Sequence, residues 1–238
     1  RQAIEISKGV FERSLKHIIK NLDLQELSDE NLFLIAFNPN NYLRDEIVEC
    51  FIDIPKEFNK DDFNIYDLDG NEIEKQIVKI ESHQPVLEQL IDRPMYFDMM
   101  RYHCFIDLNN VPEFGYRSFW MKPREKSKVK IQKSKVGSTV HNILENDSLK
   151  IKINANGTFD LFDKVNKKDF KGLGYFYDEG EAGHAWVNIP TKPFITTLKS
   201  NPRIKIIQNG ELSSTIKISH KIKLPINLAE RKKKNPKF

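Results

Sequence analysis

Short apolar runs, each closed by residues that favour turns, are the feature of this sequence that most constrains its fold. Residues 32–37 form such a run and are followed by a turn cluster at residues 38–41. Residues 46–54 form a second run that ends at a proline, and an Asp69-Gly70 pair separates two further runs. Runs of this length with this punctuation favour antiparallel strands joined by tight turns. The sequence therefore predicts a mainly β protein.

Residues 1–27 have a different pattern, with apolar side chains mostly at three- and four-residue spacings, which puts them on one face of a helix. They are Ile4, Val10, Phe11, Leu15, Ile18, Ile19 and Leu22. One helix cannot bury such a stripe alone, so it needs either the neighbouring β-region or further helices as a partner. We favour helices that precede it in a longer protein, with the helix docked on the β-region in this chain.

Alternating strands restart after a lysine-rich stretch at residues 123–137, which is typical of a linker. Residues 144–153 alternate as one strand, and a turn at residues 154–157 joins them to a partner at residues 158–163. Another alternating pair, within residues 203–222, surrounds an Asn-Gly turn. The second half therefore predicts the opening of a larger antiparallel sheet system.

Residues 175–186 are the segment with the clearest functional signal, because acidic groups, glycines, a histidine and aromatic rings are concentrated there. Carboxylates such as Asp178 and Glu181 can accept hydrogen bonds from sugar hydroxyls, and an aromatic face such as that of Trp186 can stack on a sugar ring. Glycines allow the sharp turns of such a loop. The alternative interpretation is a strand, a solvated loop and a returning strand with no ligand.

Composition and spacing argue against several classes of site. Six histidines are scattered singly, so no pair has the spacing of metal ligands, and the two cysteines lie in separate strand-like runs. We expect Cys50 and Cys104 to be buried free thiols in a reducing compartment. No run approaches the roughly 18 apolar residues of a membrane helix, and no signal sequence is evident.

The net charge of +4 is mild, and the basic residues are clustered locally. The clusters are residues 122–135 and residues 231–234 with Lys237. Neither cluster interleaves aromatic residues with basic ones, as single-strand nucleic-acid binders do. We therefore interpret both as solvated linker or loop and expect no nucleic-acid partner.

The order of motifs resembles the region after the catalytic barrel in bacterial α-mannosidases of glycoside hydrolase family 38. Any one of these motifs is weak, but five in the order of the family are fairly specific. The motifs are residues 34–39 with 46–49, residues 67–71 with Gln76, residues 111–116, residues 144–146 with 156–158 and 163–164, and residues 178–186.

The resemblance implies a retaining enzyme whose aspartate nucleophile, assisted by zinc, lies in an N-terminal barrel outside this chain. No catalytic or metal-binding residue is therefore expected here, and this chain alone should be inactive. In relatives, the aromatic residue at the position of Trp186 reaches from the β-domain toward the bound sugar. Asp178 and Glu181 would accept sugar hydroxyls or fix the loop through backbone N–H groups. His184, where relatives have aspartate, would donate a hydrogen bond or cap a turn.

We therefore expect four parts. Residues 1–29 are the last helix of a helical middle domain, and residues 30–122 are a small immunoglobulin-like β-sandwich. Residues 123–137 are the linker, and residues 138–238 begin a β supersandwich. The expected partners are an α-mannoside and the barrel of the same cytoplasmic protein, with no membrane and with a homo-oligomer left open. The alternatives are a stand-alone carbohydrate-binding β-module and a structural tandem without ligand.

Overall fold

The computed structural model describes residues 2–22, 32–58, 62–87, 93–124 and 142–238. This part of the chain is mainly antiparallel β-sheet with a long N-terminal helix, which confirms the predicted fold class. The elements are α1 (Gln2–Lys20), β1 (Leu32–Asn38), β2 (Arg44–Pro55), β3 (Asp62–Tyr66), β4 (Glu72–Ile73), β5 (Lys75–His83), β6 (Val86–Leu87), β7 (Met95–Tyr96), β8 (Met99–Val111), β9 (Gly115–Arg124), β10 (Ile143–Glu145), β11 (Leu149–Ile153), β12 (Phe159–Asp163), β13 (Lys168–Leu173), β14 (Tyr177–Glu181), β15 (Pro190–Thr196), β16 (Arg203–Asn209), β17 (Ser214–Ser219) and α2 (Leu228–Arg231).

The described residues divide into two compact units. The first contains α1, β1, β3, β4 and β9, and its sheet has the order β1-β9-β3-β4. Phe63, Ile65 and Phe119 have no solvent exposure. Residues two apart in a strand face the same side of the sheet, so the apolar residues of β3 and β9 form one buried layer. Strand β9 continues to Arg124, past the boundary expected at residue 122, and residues 125–141 lie outside the described part.

Helix α1 confirms the predicted periodicity, but none of its described residues is buried. Ile4 and Phe11 are each 60% exposed, so its apolar face does not dock on the β-region as expected. The last residues of the expected helix, residues 23–27, lie outside the described part. An amphipathic helix is stabilised mainly by packing of its apolar face, and the described residues of this chain provide little of it.

Asp67 organises the predicted turn between β3 and β4. Its carboxylate accepts hydrogen bonds from the backbone N–H groups of Asp69 and Asn71 at 3.1 and 2.8 Å and from the Asn71 side chain at 3.1 Å. Arg117 on β9 donates to the same carboxylate at 3.0 Å, and the Trp120 indole N–H donates to the Asp67 carbonyl at 2.9 Å. A buried carboxylate therefore ties the turn to the neighbouring strand.

The second unit contains most of β2 and β8 with β5 in a sheet of order β2-β8-β5, together with the C-terminal sheets and α2. Tyr102, Cys104 and Ile106 alternate along β8 and are almost fully buried, as the predicted period of two requires. Both cysteines are free, as expected. The expectation that both are buried is wrong for Cys50, which remains partly exposed.

The C-terminal sheets include a four-stranded sheet of order β10-β11-β12-β13 and the hairpin β16-β17. The turns predicted between β11 and β12 and around Gly210 are present. The prediction of one strand over residues 144–153 is wrong, because a turn at Asn146 divides it into β10 and β11. The Asn146 side chain accepts from the N–H groups of Ser148 and Leu149 at 3.0 and 2.8 Å, which competes with extended pairing.

Gln76 connects β5 to the tip of the β16-β17 hairpin. Its carbonyl oxygen accepts from the N–H groups of Leu212 and Ser213, both at 2.9 Å, and its amide donates to the Ser213 carbonyl at 3.0 Å. A Cβ at Gly210 would lie 2.0 Å from the Gln76 amide carbon, so only glycine allows this approach. One side chain thus joins the C-terminal hairpin to the preceding sheet. No helix in the described part is long and apolar enough to cross a membrane.

We predict that Asp67 makes the stability of the first unit depend on pH in the acidic range. Hydrogen bonding from the Asn71 side chain, helped by backbone donors and the Arg117 charge, lowers the pKa of Asp67. Its contribution to the free energy of unfolding is complete above the unfolded-state pKa of about 3.9 and is lost as pH falls through the lower folded-state pKa. Urea unfolding between about pH 2 and pH 7 measures it.

Other carboxylates of the chain also have lowered pKa values, so the difference between variants isolates the effect. Asp67→Asn should give a flatter dependence of unfolding free energy on pH than wild type. Asp69→Asn, in the same turn but with an exposed side chain, is the matched control and should keep the wild-type slope. Equal slopes for wild type and Asp67→Asn would refute the assignment.

Candidate functional site

The segment selected from the sequence forms the antiparallel hairpin β14-β15 and its tip. Tyr177 pairs with Thr196 and Glu181 pairs with Pro190, and a bulge lies between Asp178 and Gly180. The hairpin therefore carries residues 182–189 as a connection held at both ends by strand pairing. This segment thus has the geometry of the alternative interpretation, in which a strand, a turn and a returning strand follow one another.

Glu181 organises the tip of this hairpin. Its Oε1 atom accepts hydrogen bonds from the Gly183 N–H at 2.5 Å and from the Ile189 N–H at 2.8 Å. A Cβ at Gly183 would lie 1.8 Å from the Val187 carbonyl oxygen, so glycine is required for this close turn. Within the described residues, Glu181 Oε2 accepts no hydrogen bond, and it remains available to a ligand.

His184 and Trp186 lie at the far end of the tip. The backbones of His184 and Val187 exchange two hydrogen bonds of 3.0 Å, and His184 Nδ1 accepts from the Trp186 N–H at 3.4 Å. The Trp186 ring meets the edge of the His184 ring with the ring centroids 5.9 Å apart, and Trp186 is 89% exposed. The histidine thus shapes the turn, and the indole projects into solvent.

Asp178 faces away from the tip, toward helix α2. Arg231 of α2 forms an ion pair with Asp178 Oδ1 and donates a 2.6 Å hydrogen bond to the Pro193 carbonyl on β15. Arg231 is only 5% exposed. The guanidinium of Arg231 therefore contacts both strands of the hairpin on the side that faces α2. Asp178 receives a side-chain donor rather than the backbone N–H groups expected for it.

Close packing reinforces this anchor. Gly180 is buried, and a Cβ there would lie 2.7 Å from both Arg231 Cδ and Leu228 Cδ2. Helix α2 begins at an N-cap, Asn227, whose side chain accepts from the Glu230 N–H at 2.8 Å. Capping positions Leu228 and Arg231 on the face of α2 that meets the hairpin.

The opposite face of the hairpin is aromatic and exposed. The rings of Tyr177 and Phe194 lie 5.5 Å apart, Lys192 Nζ lies 5.9 Å from the centre of the Phe194 ring, and Tyr177 donates to Glu179 at 3.0 Å. Partial burial, followed by the Glu179 hydrogen bond, raises the pKa of Tyr177, which keeps this phenol protonated. An apolar ring pair beside a carboxylate is a surface suited to a sugar ring and its hydroxyls.

The structure brings together three of the four residues selected from the sequence. Glu181, His184 and Trp186 share the tip, whereas Asp178 belongs to the anchor on the other face. Arg231 belongs to the basic cluster at residues 231–234, which was predicted to be solvated, but its side chain is buried. The Asn227-x-x-Glu230 spacing is the start signal of a helix that could have revealed α2.

The side chains in the described part of the chain do not fit a resident metal ion. Among the described residues, no group of three His, Cys, Asp or Glu side chains could hold one. The carboxylates of the hairpin are engaged by Arg231, by Tyr177 and by backbone N–H groups. We therefore derive no step through zinc in this chain.

Comparisons with known proteins agree on one class of enzyme. No family model matches the chain. A protein of Halalkalibacterium halodurans with the provisional name mannosylglycerate hydrolase is 28% identical over 121 residues, which are 50% of this chain and 14% of that protein. The chain thus spans a small part of the relative that it matches.

Two solved structures share the fold. An α-mannosidase from Enterococcus faecalis V583 superposes with a TM-score of 0.80 at 17% identity, covering 95% of this chain and 27% of that one. A protein of glycosyl hydrolase family 38 from Enterococcus faecalis superposes with a TM-score of 0.79 at 18% identity, covering 94% of this chain and 28% of that one. The chain shares its fold with about a quarter of each of these two proteins. The resemblance to α-mannosidases of glycoside hydrolase family 38 is thereby confirmed.

We predict that removing the Arg231 charge loosens the β14-β15 hairpin. Arg231→Met keeps much of the side-chain volume but leaves Asp178 and the Pro193 carbonyl without their donor, so the free energy of unfolding should fall by roughly 2–3 kcal/mol. The expected loss of unfolding free energy is smaller than for a fully buried ion pair, because Asp178 is 29% exposed. Chemical denaturation measures the loss, and hydrogen exchange of the strand amides locates it.

Lys232→Met is the matched control, because Lys232 is the next residue and is exposed. It should leave both the unfolding free energy and hydrogen exchange in β14 and β15 close to wild type. If Arg231→Met and Lys232→Met behave alike, the ion pair does not hold the hairpin.

Proposed function

We propose that this chain is a non-catalytic β-region of a retaining α-mannosidase that hydrolyses terminal α-mannosides. The observation that carries the proposal is the TM-score of 0.80 to an α-mannosidase over 95% of this chain. Because the chain covers only 27% of that enzyme, we assign the nucleophile, the zinc ion and the catalytic barrel to other parts of the parent protein. The β-region packs against this barrel and supports it, and it contributes one loop to the sugar site.

In this proposal the hairpin tip is the part that meets the substrate. Trp186 stacks on the apolar face of a sugar, since it is exposed and projects from a turn. Glu181 accepts a sugar hydroxyl at Oε2 while Oε1 holds the tip. His184 caps the turn beneath Trp186, and Asp178 positions the hairpin through Arg231.

The proposal extends to the setting of the parent protein. Two free thiols are typical of a reducing compartment, so we place the enzyme in the cytoplasm. Its substrate is a carbohydrate with a terminal α-mannosyl group. The H. halodurans relative, which carries the name of a mannosylglycerate hydrolase, supports a mannose-containing substrate.

We predict that the full-length parent hydrolyses an aryl α-mannoside and loses this activity when zinc is chelated. The isolated 238-residue chain should show no turnover, with or without zinc, because the candidate carboxylates Asp178 and Glu181 are engaged in holding the hairpin. Release of the aryl group measured before chelation, after chelation and after return of zinc tests both statements. A parent without activity on any α-mannoside would overturn the proposed function.

We predict that Trp186→Ala in the parent enzyme lowers kcat/KM for α-mannosides about three- to tenfold, the loss expected from one aromatic stacking contact. Trp186→Phe keeps a ring and should retain most of the activity. Phe114→Ala is a control, because this ring is 75% exposed and belongs to the first unit, which does not contain the hairpin. Unchanged kinetics for Trp186→Ala would remove the residue from the site.

The exposed aromatic surface also favours a second candidate, a stand-alone carbohydrate-binding module. Tyr177, Phe194 and Trp186 are 50%, 43% and 89% exposed, which leaves room for a ligand without another domain. Titration of the isolated chain with mannosides, followed by tryptophan fluorescence, separates the two. A saturable response of the isolated chain supports the module, and the absence of a response supports a loop that binds sugar only together with the barrel.

A further inference from the structure

Cys50 on β2 and Cys104 on β8 are the two cysteines of the chain, and they lie side by side. Their sulfur atoms are 3.7 Å apart, and both thiols are reduced. Strands β2 and β8 are direct neighbours in the sheet β2-β8-β5. The thiols therefore meet across two adjacent strands of one unit.

The geometry of the two strands fits a covalent link. Arg101 on β8 contacts Asp53 on β2 with two hydrogen bonds of 2.7 Å, so contacts advance along the two strands in opposite directions, as in antiparallel pairing. Opposite residues in antiparallel strands have Cα atoms about 4.5–5.5 Å apart. Disulfides span Cα distances of about 4.4–6.8 Å. Side-chain rotation can therefore close the gap without backbone movement.

The two thiols have different surroundings. Cys104 has no solvent exposure, whereas Cys50 is partly exposed. A hydrogen bond from the Cys104 thiol lowers the pKa of Cys50, and the same contact with burial raises the pKa of Cys104. Cys50 is thus the thiol that a solvent-borne reagent can reach, and Cys104 is the one placed behind it.

We propose that Cys50 and Cys104 form an oxidisable dithiol site that takes a low-molecular-weight disulfide, such as oxidised glutathione, as its co-reactant. The Cys50 thiolate attacks one sulfur of the reagent, which forms a mixed disulfide and releases one glutathione thiolate. Cys104 then attacks the Cys50 sulfur, which releases the second glutathione, and the Cys104 proton passes to this departing glutathione thiolate. Two protein thiols are oxidised, and one glutathione disulfide is reduced to two thiols.

The product is a cross-strand disulfide inside the second unit, and it stabilises the folded state by constraining the unfolded chain. The disulfide is separate from the proposed sugar site, because that site lies on the β14-β15 hairpin and the cysteines lie on β2 and β8. The site is a modification site that uses both cysteines of the chain, and a dithiol reductant reverses the modification.

The full 238-residue chain, reduced and desalted, provides the test. It is incubated with excess oxidised glutathione near pH 8, quenched with acid, unfolded, alkylated and weighed by mass spectrometry. We expect wild type to carry neither glutathione nor alkylating reagent, and to give one peptide pair joined through Cys50 and Cys104. Its Tm should rise on the order of 5 °C and return after reduction.

Two variants separate the steps. Cys104→Ala should keep one glutathione on Cys50, because no second thiol can release it. Cys50→Ala should react at least about tenfold more slowly than Cys104→Ala, since Cys104 is buried. Wild type that retains glutathione, or that keeps both thiols free under conditions that oxidise the unfolded chain, would overturn the proposal even if a variant fails to fold.

Discussion

The buried guanidinium of Arg231 is the interaction on which the candidate site depends. It contacts Asp178 on one strand and the Pro193 carbonyl on the other, so both strands of the hairpin are held to α2 at one point. A cation at 5% exposure is costly unless it is paired and hydrogen-bonded, and here both conditions are met. The loop that carries Trp186 therefore projects from a hairpin that is anchored at its base. The exposure of Trp186 is not a result of loose packing of this hairpin.

Local sequence patterns predicted the hairpin turns, because an Asp-Gly or Asn-Gly pair indicates the turn geometry within a few residues. The β11-β12 and β16-β17 turns are examples. The turn at Asp69-Gly70 is also present, but only the short β4 returns to β3, and the run at residues 74–80 that was predicted to return pairs with β8 instead. The division of residues 144–153 was missed because the Asn146 turn interrupts an alternation that continues on both sides of it. The roles of Arg231 and Gln76 were missed for another reason. Each depends on partners far along the chain, which spacing within a segment cannot show.

The site residues divide in the same way. The sequence placed Glu181, His184 and Trp186 in one loop, and local hydrogen bonds explain why they are together. Asp178 is close to these residues in sequence, but side chains alternate along a strand, and its side chain lies on the other face. Its role there becomes visible only through its tertiary partner, Arg231. Acidic residues close in sequence are thus not one acidic site, because the carboxylate at the hairpin tip and the carboxylate that anchors the hairpin have different partners.

This separation bears on whether the chain could catalyse glycoside hydrolysis alone. A retaining glycosidase needs two carboxyl groups about 5–5.5 Å apart on either side of the scissile bond, one of them able to exchange a proton. In the hairpin, Asp178 pairs with Arg231 on the α2 face, Glu179 accepts from Tyr177, and Glu181 holds two N–H groups of the tip. Each of these carboxylates already stabilises local structure. The hairpin thus exposes Trp186 and one oxygen of Glu181, while its other carboxylate contacts hold the local structure.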